Sequence, residues 1–181
     1  MVRSLCTLCG RSGNSLGVSG PTGLPLGRYG PSDSVTIEQL AKIALLAAGI
    51  DAVSCSGFPL KAAARTRWSE LFISCAERLQ WAVYADGSVD LLRPATRAEV
   101  VVTLLQAFGV ELVAIDATPF ADIDSSTEFR SAILRAHEDR IVSGYADAEG
   151  NPTGRFGPLD AVNLAEVAMI VILARELYGG L

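Results

Sequence analysis

Three stretches of the chain, 36–50, 96–110 and 163–177, share one pattern of polar and apolar positions and align without gaps. Each opens on Thr or Asn (Thr36, Thr96, Asn163), has Gln or Glu three residues later (Gln39, Glu99, Glu166), and then runs mostly apolar. That is the signature of a capping box. The first side chain accepts from the N3 amide, and the second reaches back to the N–H of the cap residue. The pattern predicts helices over about 36–48, 96–108 and 163–177, with Gly49 and Gly109 at the C-caps of the first two. Apolar residues fall on nearly every face, best seen over 167–174, so these helices belong in the middle of the molecule.

A second, more amphipathic helix is predicted ahead of two of them, over 69–83 and 127–142. These two align through Ile73 with Ile133, Ala76 with Ala136, and Trp81 with Ile141. An acidic loop follows each, opening on Tyr84 and Tyr145, and then a Pro-containing approach to the capping box at Pro94 and Pro158, matched by Pro31 in the first stretch. The repeating unit is helix, loop, Pro turn, helix, and no β pattern competes with it. Residues 10–30 hold seven Gly, three Ser and two Pro, the composition of a linker. The expected organisation is a Gly-rich flexible leader at 1–27, then units at 28–67 (its leading helix not recognisable), 68–114 and 115–181.

Composition narrows the function classes. The 181 residues are 50% hydrophobic and 19% charged, with mean hydropathy +0.34, which excludes global disorder. Net charge is −5, and the acids concentrate in residues 68–181, which carry 17 against eight basic groups. A nucleic-acid binder needs a basic face, so nucleic acid is excluded as a partner. Thirteen Arg against two Lys favours planar recognition of carboxylates over diffuse positive charge. The longest apolar runs, 100–105 and 167–174, fall far short of the ~20 residues of a membrane span. The first ten residues contain an Arg but no apolar signal-peptide core, so the protein either stays inside or is a mature form or fragment with its leader upstream.

The third unit contains Phe120-Ala121-Asp122, then Ile141-Val142-Ser143-Gly144-Tyr145, then Phe156-Gly157-Pro158, then its capping box. The second carries Thr96-Arg97-Ala98-Glu99. This resembles the S-layer homology repeat, whose pattern is an F-x-D start, a G-I-V-x-G-Y turn, F-x-P, and a T-R-A-E helix start. The resemblance covers roughly residues 28–181 and is strongest over 118–177. It implies an all-α fold: three tandem helix–loop–helix repeats, pseudo-threefold around a central three-helix bundle, with grooves between neighbours. It implies a non-catalytic role, anchoring a surface or S-layer protein to an anionic cell-wall polysaccharide, often one bearing ketal-linked pyruvate. The location implied is extracellular, at the cell envelope, with other S-layer or envelope proteins as further partners and no cofactor.

In the family the Arg of the box contacts the acidic group. A guanidinium at a helix start, beside free amides and the positive dipole end, suits a carboxylate. Only Arg97 keeps it; Ile37 and Leu164 stand at the equivalent positions. The alternative is therefore a degenerate trimer acting as a structural or protein-interaction scaffold.

Candidate ligand-binding residues are Arg97, Thr96, Glu99, Asp122, Trp81, Gly144 and Tyr145. Each has a plainer reading: Thr96 and Glu99 as caps, Asp122 as a turn residue, Trp81 as core, Gly144 and Tyr145 as a turn with Gly supplying positive φ. Cys6 and Cys9 have zinc-knuckle spacing without a second pair, and Cys55 and Cys75 read as small buried apolar residues. The 147–151 loop lacks the bidentate Glu of a calcium site. His137 sits among Glu138, Asp139 and Arg140 on a solvated helix face, with no nucleophile in a motif context. No metal site and no enzyme are expected.

Overall fold

The computed structural model describes residues 30–55 and 57–179; the leader expected over 1–27 and the Cys6–Cys9 pair lie outside them. Five α-helices are described: α1 (Ile37–Ala47), α2 (Glu70–Arg78), α3 (Arg97–Ala107), α4 (Arg130–Glu138) and α5 (Leu164–Tyr178). Short 3-10 turns at Ala52–Cys55 and Ala62–Ala64 fill the connection between α1 and α2. Among the described residues β pairing is limited to isolated bridges, so the fold is all-α.

All three capping boxes form. The N–H groups of Thr36, Thr96 and Asn163 donate to Gln39, Glu99 and Glu166 at 2.9, 2.8 and 3.0 Å. Helices α1 and α3 close on Gly49 and Gly109 at φ +70° and +69°. There Ile50 N–H donates to Leu45 O and Val110 N–H to Leu105 O, each at 2.9 Å, as in a Schellman motif.

The leading helices are shorter than the sequence pattern predicts. Each closes by the same motif, but with Gln80 and Arg140 in the left-handed position at φ +56° and +58°. Trp81 N–H and Ile141 N–H donate back to Ala76 O and Ala136 O, and both side chains are buried. The turn comes early because these apolar residues must fold back beneath their helices rather than continue along them.

Helices α1, α3 and α5 touch one another pairwise, while α2 packs on α1 and α4 on α3. Just ahead of the caps, Val35 N–H donates to Val162 O (3.0 Å), Val162 N–H to Ala95 O (3.2 Å), and Ala95 N–H to Val35 O (2.7 Å). These three bonds close a ring. The first amide of each helix, an orphan in isolation, finds a carbonyl in a neighbouring Pro turn: Ile37 to Arg93, Arg97 to Asp160, Leu164 to Asp33.

Leu45, Val100 and Val171 are buried, as an all-round apolar bundle requires. Helix α5 departs from that expectation on one flank, where Met169 and Leu177 are 58% and 50% exposed. No described helix packs there as α2 does on α1 or α4 on α3.

Two features were not read from the sequence. Cys55 and Cys75 are not simple buried apolar residues; they form a disulfide, with Cα atoms 4.7 Å apart, tying the 3-10 turn to α2. Glu38, one residue into α1, accepts from Arg67 through Nε and Nη2 (2.8 and 2.9 Å), Ser69 Oγ (2.7 Å) and Trp68 Nε1 (3.1 Å). Burial raises the Glu38 pKa, but these donors outweigh it and hold the carboxyl below the usual carboxylate range.

Candidate anion-binding groove

The start of α3 is held rigidly. Thr96 Oγ1 accepts from Glu99 N–H at 3.3 Å, and the Glu99 carboxylate takes the Thr96 N–H and both Nη groups of Arg93. Burial raises the Glu99 pKa, yet the Arg93 and Thr96 donors win and the net shift is downward. Thr96 and Glu99 are thus committed to the cap, and their contribution is to aim the next side chain.

That side chain is Arg97, only 8% exposed. Its Nη2 donates to Ser143 O at 2.8 Å, bridging α3 to the turn after α4. Its guanidinium carbon lies 4.8 Å from the Phe156 ring centre and 5.2 Å from that of Tyr145, within cation–π reach of both. Nη1 stands 4.0 Å from Glu166 Oε1, too long for a hydrogen bond, and the buried Nε has no partner.

Arg97 lines a groove of about 340 Å³ between the start of α3, the end of α4 and the bare flank of α5. Three basic side chains, Arg97, His137 and Arg140, line it against one carboxylate, Glu166. Its apolar wall includes Met169 and Leu173 of α5. A positively biased groove with one apolar side can hold an anionic group while covering the less polar face of whatever carries it.

Of the seven residues read as candidates, Arg97 alone lines this groove; the others are placed around it or away from it. Tyr145 lies against Arg97, half-buried, its backbone paired with Arg155 and Thr153. Burial and a hydrogen bond to Asp160 push the Tyr145 pKa up. Gly144 does not have the positive φ expected of it. It is Gly because a Cβ would meet Arg155 O at 2.8 Å and Phe120 Cε1 at 2.9 Å. Asp122 accepts from Phe156 N–H (2.9 Å) and Gly157 N–H (2.8 Å), fixing the strip that carries the aromatic face under Arg97.

Trp81 is remote from the groove, 3% exposed and edge-on to Tyr84. Tyr84, fully buried, donates its hydroxyl to Ile37 O at 3.0 Å, and Ala82 N–H donates to Gln106 Oε1 at 2.9 Å.

His137 and Arg140 were missed as groove residues. His137 is not on a solvated face: its ring packs edge-on to Phe120, centroids 4.9 Å apart. The available signal was Arg140 itself, a cation at the Gly position of the G-I-V-x-G-Y pattern.

The fold is a helical module with an open groove beside Arg97. The family model for the S-layer homology domain matches residues 119–168, and over that stretch the chain is similar to the family. The match runs from the Phe120 element through α4 and the Gly144–Tyr145 turn into α5; Arg97 lies ahead of it. Domains of this family are non-catalytic binding modules that associate proteins with the cell wall or S-layer at the cell surface. No curated protein matches the chain. Among the described residues no helix is long and apolar enough to cross a membrane.

Proposed function

We propose that this chain anchors a surface or S-layer protein by binding an anionic wall glycan, of the pyruvylated kind, in the Arg97 groove. Its organisation in this reading is three tandem units, 28–67, 68–114 and 115–181, set about a pseudo-threefold axis behind a leader at 1–27. The ring of hydrogen bonds through Val35, Ala95 and Val162 supports that symmetry. The observation that carries the binding role is the buried Arg97 guanidinium, with Nη1 and Nε free of hydrogen bonds, at a groove of net positive character. Thr96 and Glu99 aim it, Tyr145 and Gly144 shape its turn, and Asp122 braces the strip below. The Cys55–Cys75 disulfide suits the oxidising exterior of a cell.

A second reading, a scaffold that binds protein rather than glycan, is favoured at the other two positions. Ile37 and Leu164 are buried where Arg97 stands in α3, and Tyr84 closes the space beside Ile37. Co-sedimentation with purified bacterial wall sacculi separates the two. The anchoring reading expects retention that high salt reverses, because the contact is ionic; absence of retention leaves the scaffold.

A further inference from the structure

Arg140 occupies a backbone position that its side chain makes costly. It ends α4 at φ +58°, where α1 and α3 use Gly49 and Gly109 at φ +70° and +69°. A Cβ-bearing residue is strained there, and such strain is characteristically retained where the side chain has work to do. The S-layer homology pattern also writes Gly at this place.

The side chain is not kept for an internal contact. Among the described residues Arg140 makes no side-chain hydrogen bond or ion pair. Its neighbour Asp139 is already taken, accepting from Arg135 Nε at 2.5 Å and from the Tyr178 hydroxyl. Arg140 instead lines the same groove as Arg97, whose buried Nε also lacks a partner. Among the described residues the only carboxylate lining that space, Glu166, has Oε1 4.0 Å from Arg97 Nη1.

We infer that Arg140 is a second ligand-contacting cation of the groove, so that a carboxylated sugar is held between α3 and the end of α4. This rests on the anchoring reading and deepens it. Two guanidiniums from different elements select an acidic substituent displayed to both, with the apolar wall of Met169 and Leu173 against the sugar's less polar face.

The test uses the full chain and two variants. Arg140→Gly supplies the residue this backbone prefers; Arg140→Gln supplies the side chain that α2 already carries in the same conformation at Gln80. Each is titrated calorimetrically with acidic wall polysaccharide released from bacterial sacculi, and with the same polymer after carbodiimide amidation of its carboxylates. Both variants should bind the acidic polymer about fivefold or more weakly than wild type, the loss expected of an exposed charge contact. Their salt dependence should be shallower. Arg140→Gly should melt at the same temperature as wild type or higher. Wild-type affinity in both variants would overturn the assignment of Arg140 and leave the anchoring reading in place. Equal wild-type affinity for the acidic and amidated polymers would overturn the anchoring reading and this inference with it.

Discussion

Arg97 lies over Phe156, guanidinium carbon 4.8 Å from the ring centre, although the two are far apart in sequence and sit on different elements. The contact seats the first residue of α3 on the Pro turn before α5. Arg97 therefore has two roles, bridging elements and facing the groove. Arg97→Ala should weaken wall-glycan binding roughly ten- to a hundredfold, the scale of a charge-assisted contact. It should also cost about 1–2 kcal/mol of stability through the lost Ser143 bond. Calorimetric titration with wall glycan and denaturant unfolding measure the two separately. The double change Ile37→Ala and Leu164→Ala should lower stability and leave glycan affinity nearly unchanged, since both side chains are buried.

Gly144→Ala should destabilise by about 1–3 kcal/mol, because its methyl group would overlap Arg155 O and the Phe120 ring. Gly109→Ala offers a contrast. Its Cβ meets nothing within 4 Å, but φ is +69°, so its smaller expected cost is purely conformational. Denaturant midpoints that rank the two in the opposite order would contradict this account of Gly144.

Val100→Asp should abolish folding, since Val100 is fully buried where α3 meets its neighbours and an unpaired carboxylate there has no donor. Met169→Asp, on the exposed flank of α5, should retain wild-type helicity. Far-UV circular dichroism of the two proteins is enough to decide, and equal loss of helicity would refute the packing described.

Acid should unfold the protein in a defined window. Glu38 and Glu99 have pKa values lowered from 4.5, because the Arg67 and Arg93 contacts outweigh the opposing effect of burial. Groups depressed in the folded state stabilise it fully above their unfolded pKa. That stabilisation is lost as pH falls through the lower folded values. Melting temperature should therefore be level from neutral pH to about 5 and fall steeply below about 4. Glu99→Gln should melt lower at pH 7 and show a shallower acid decline.

Reducing Cys55–Cys75 should cost about 3 kcal/mol, the loop-closure value for a bridge spanning 20 residues. The loss should localise to the segment between α1 and α2, where hydrogen exchange should speed up first. Uniform acceleration across α3 and α5 would contradict that local role.

The three central helices were legible in the sequence because their signals are local. A capping box spans four residues, a Gly cap one, and an apolar run marks burial without reference to partners. Thr96, Glu99 and Gly109 behave in the fold as those short-range rules require. The leading helices were placed correctly but drawn too long, since Trp81 and Ile141 keep a helical apolar spacing while the chain turns back at Gln80 and Arg140. Arg97 could be singled out by its position in a repeated motif. Its Ser143, Tyr145 and Phe156 contacts could not be read, because they join residues about 46 to 59 positions apart. Only the packing of α3, α4 and α5 decided which candidate faces a groove. That packing moved His137 off the solvated face and brought Arg140 into the same groove as Arg97, while the packing around α2 buried Trp81 against Tyr84 and paired Cys55 with Cys75. Local sequence sets which segments coil and which faces are apolar; which polar side chains are left without partners is a property of the assembled interfaces.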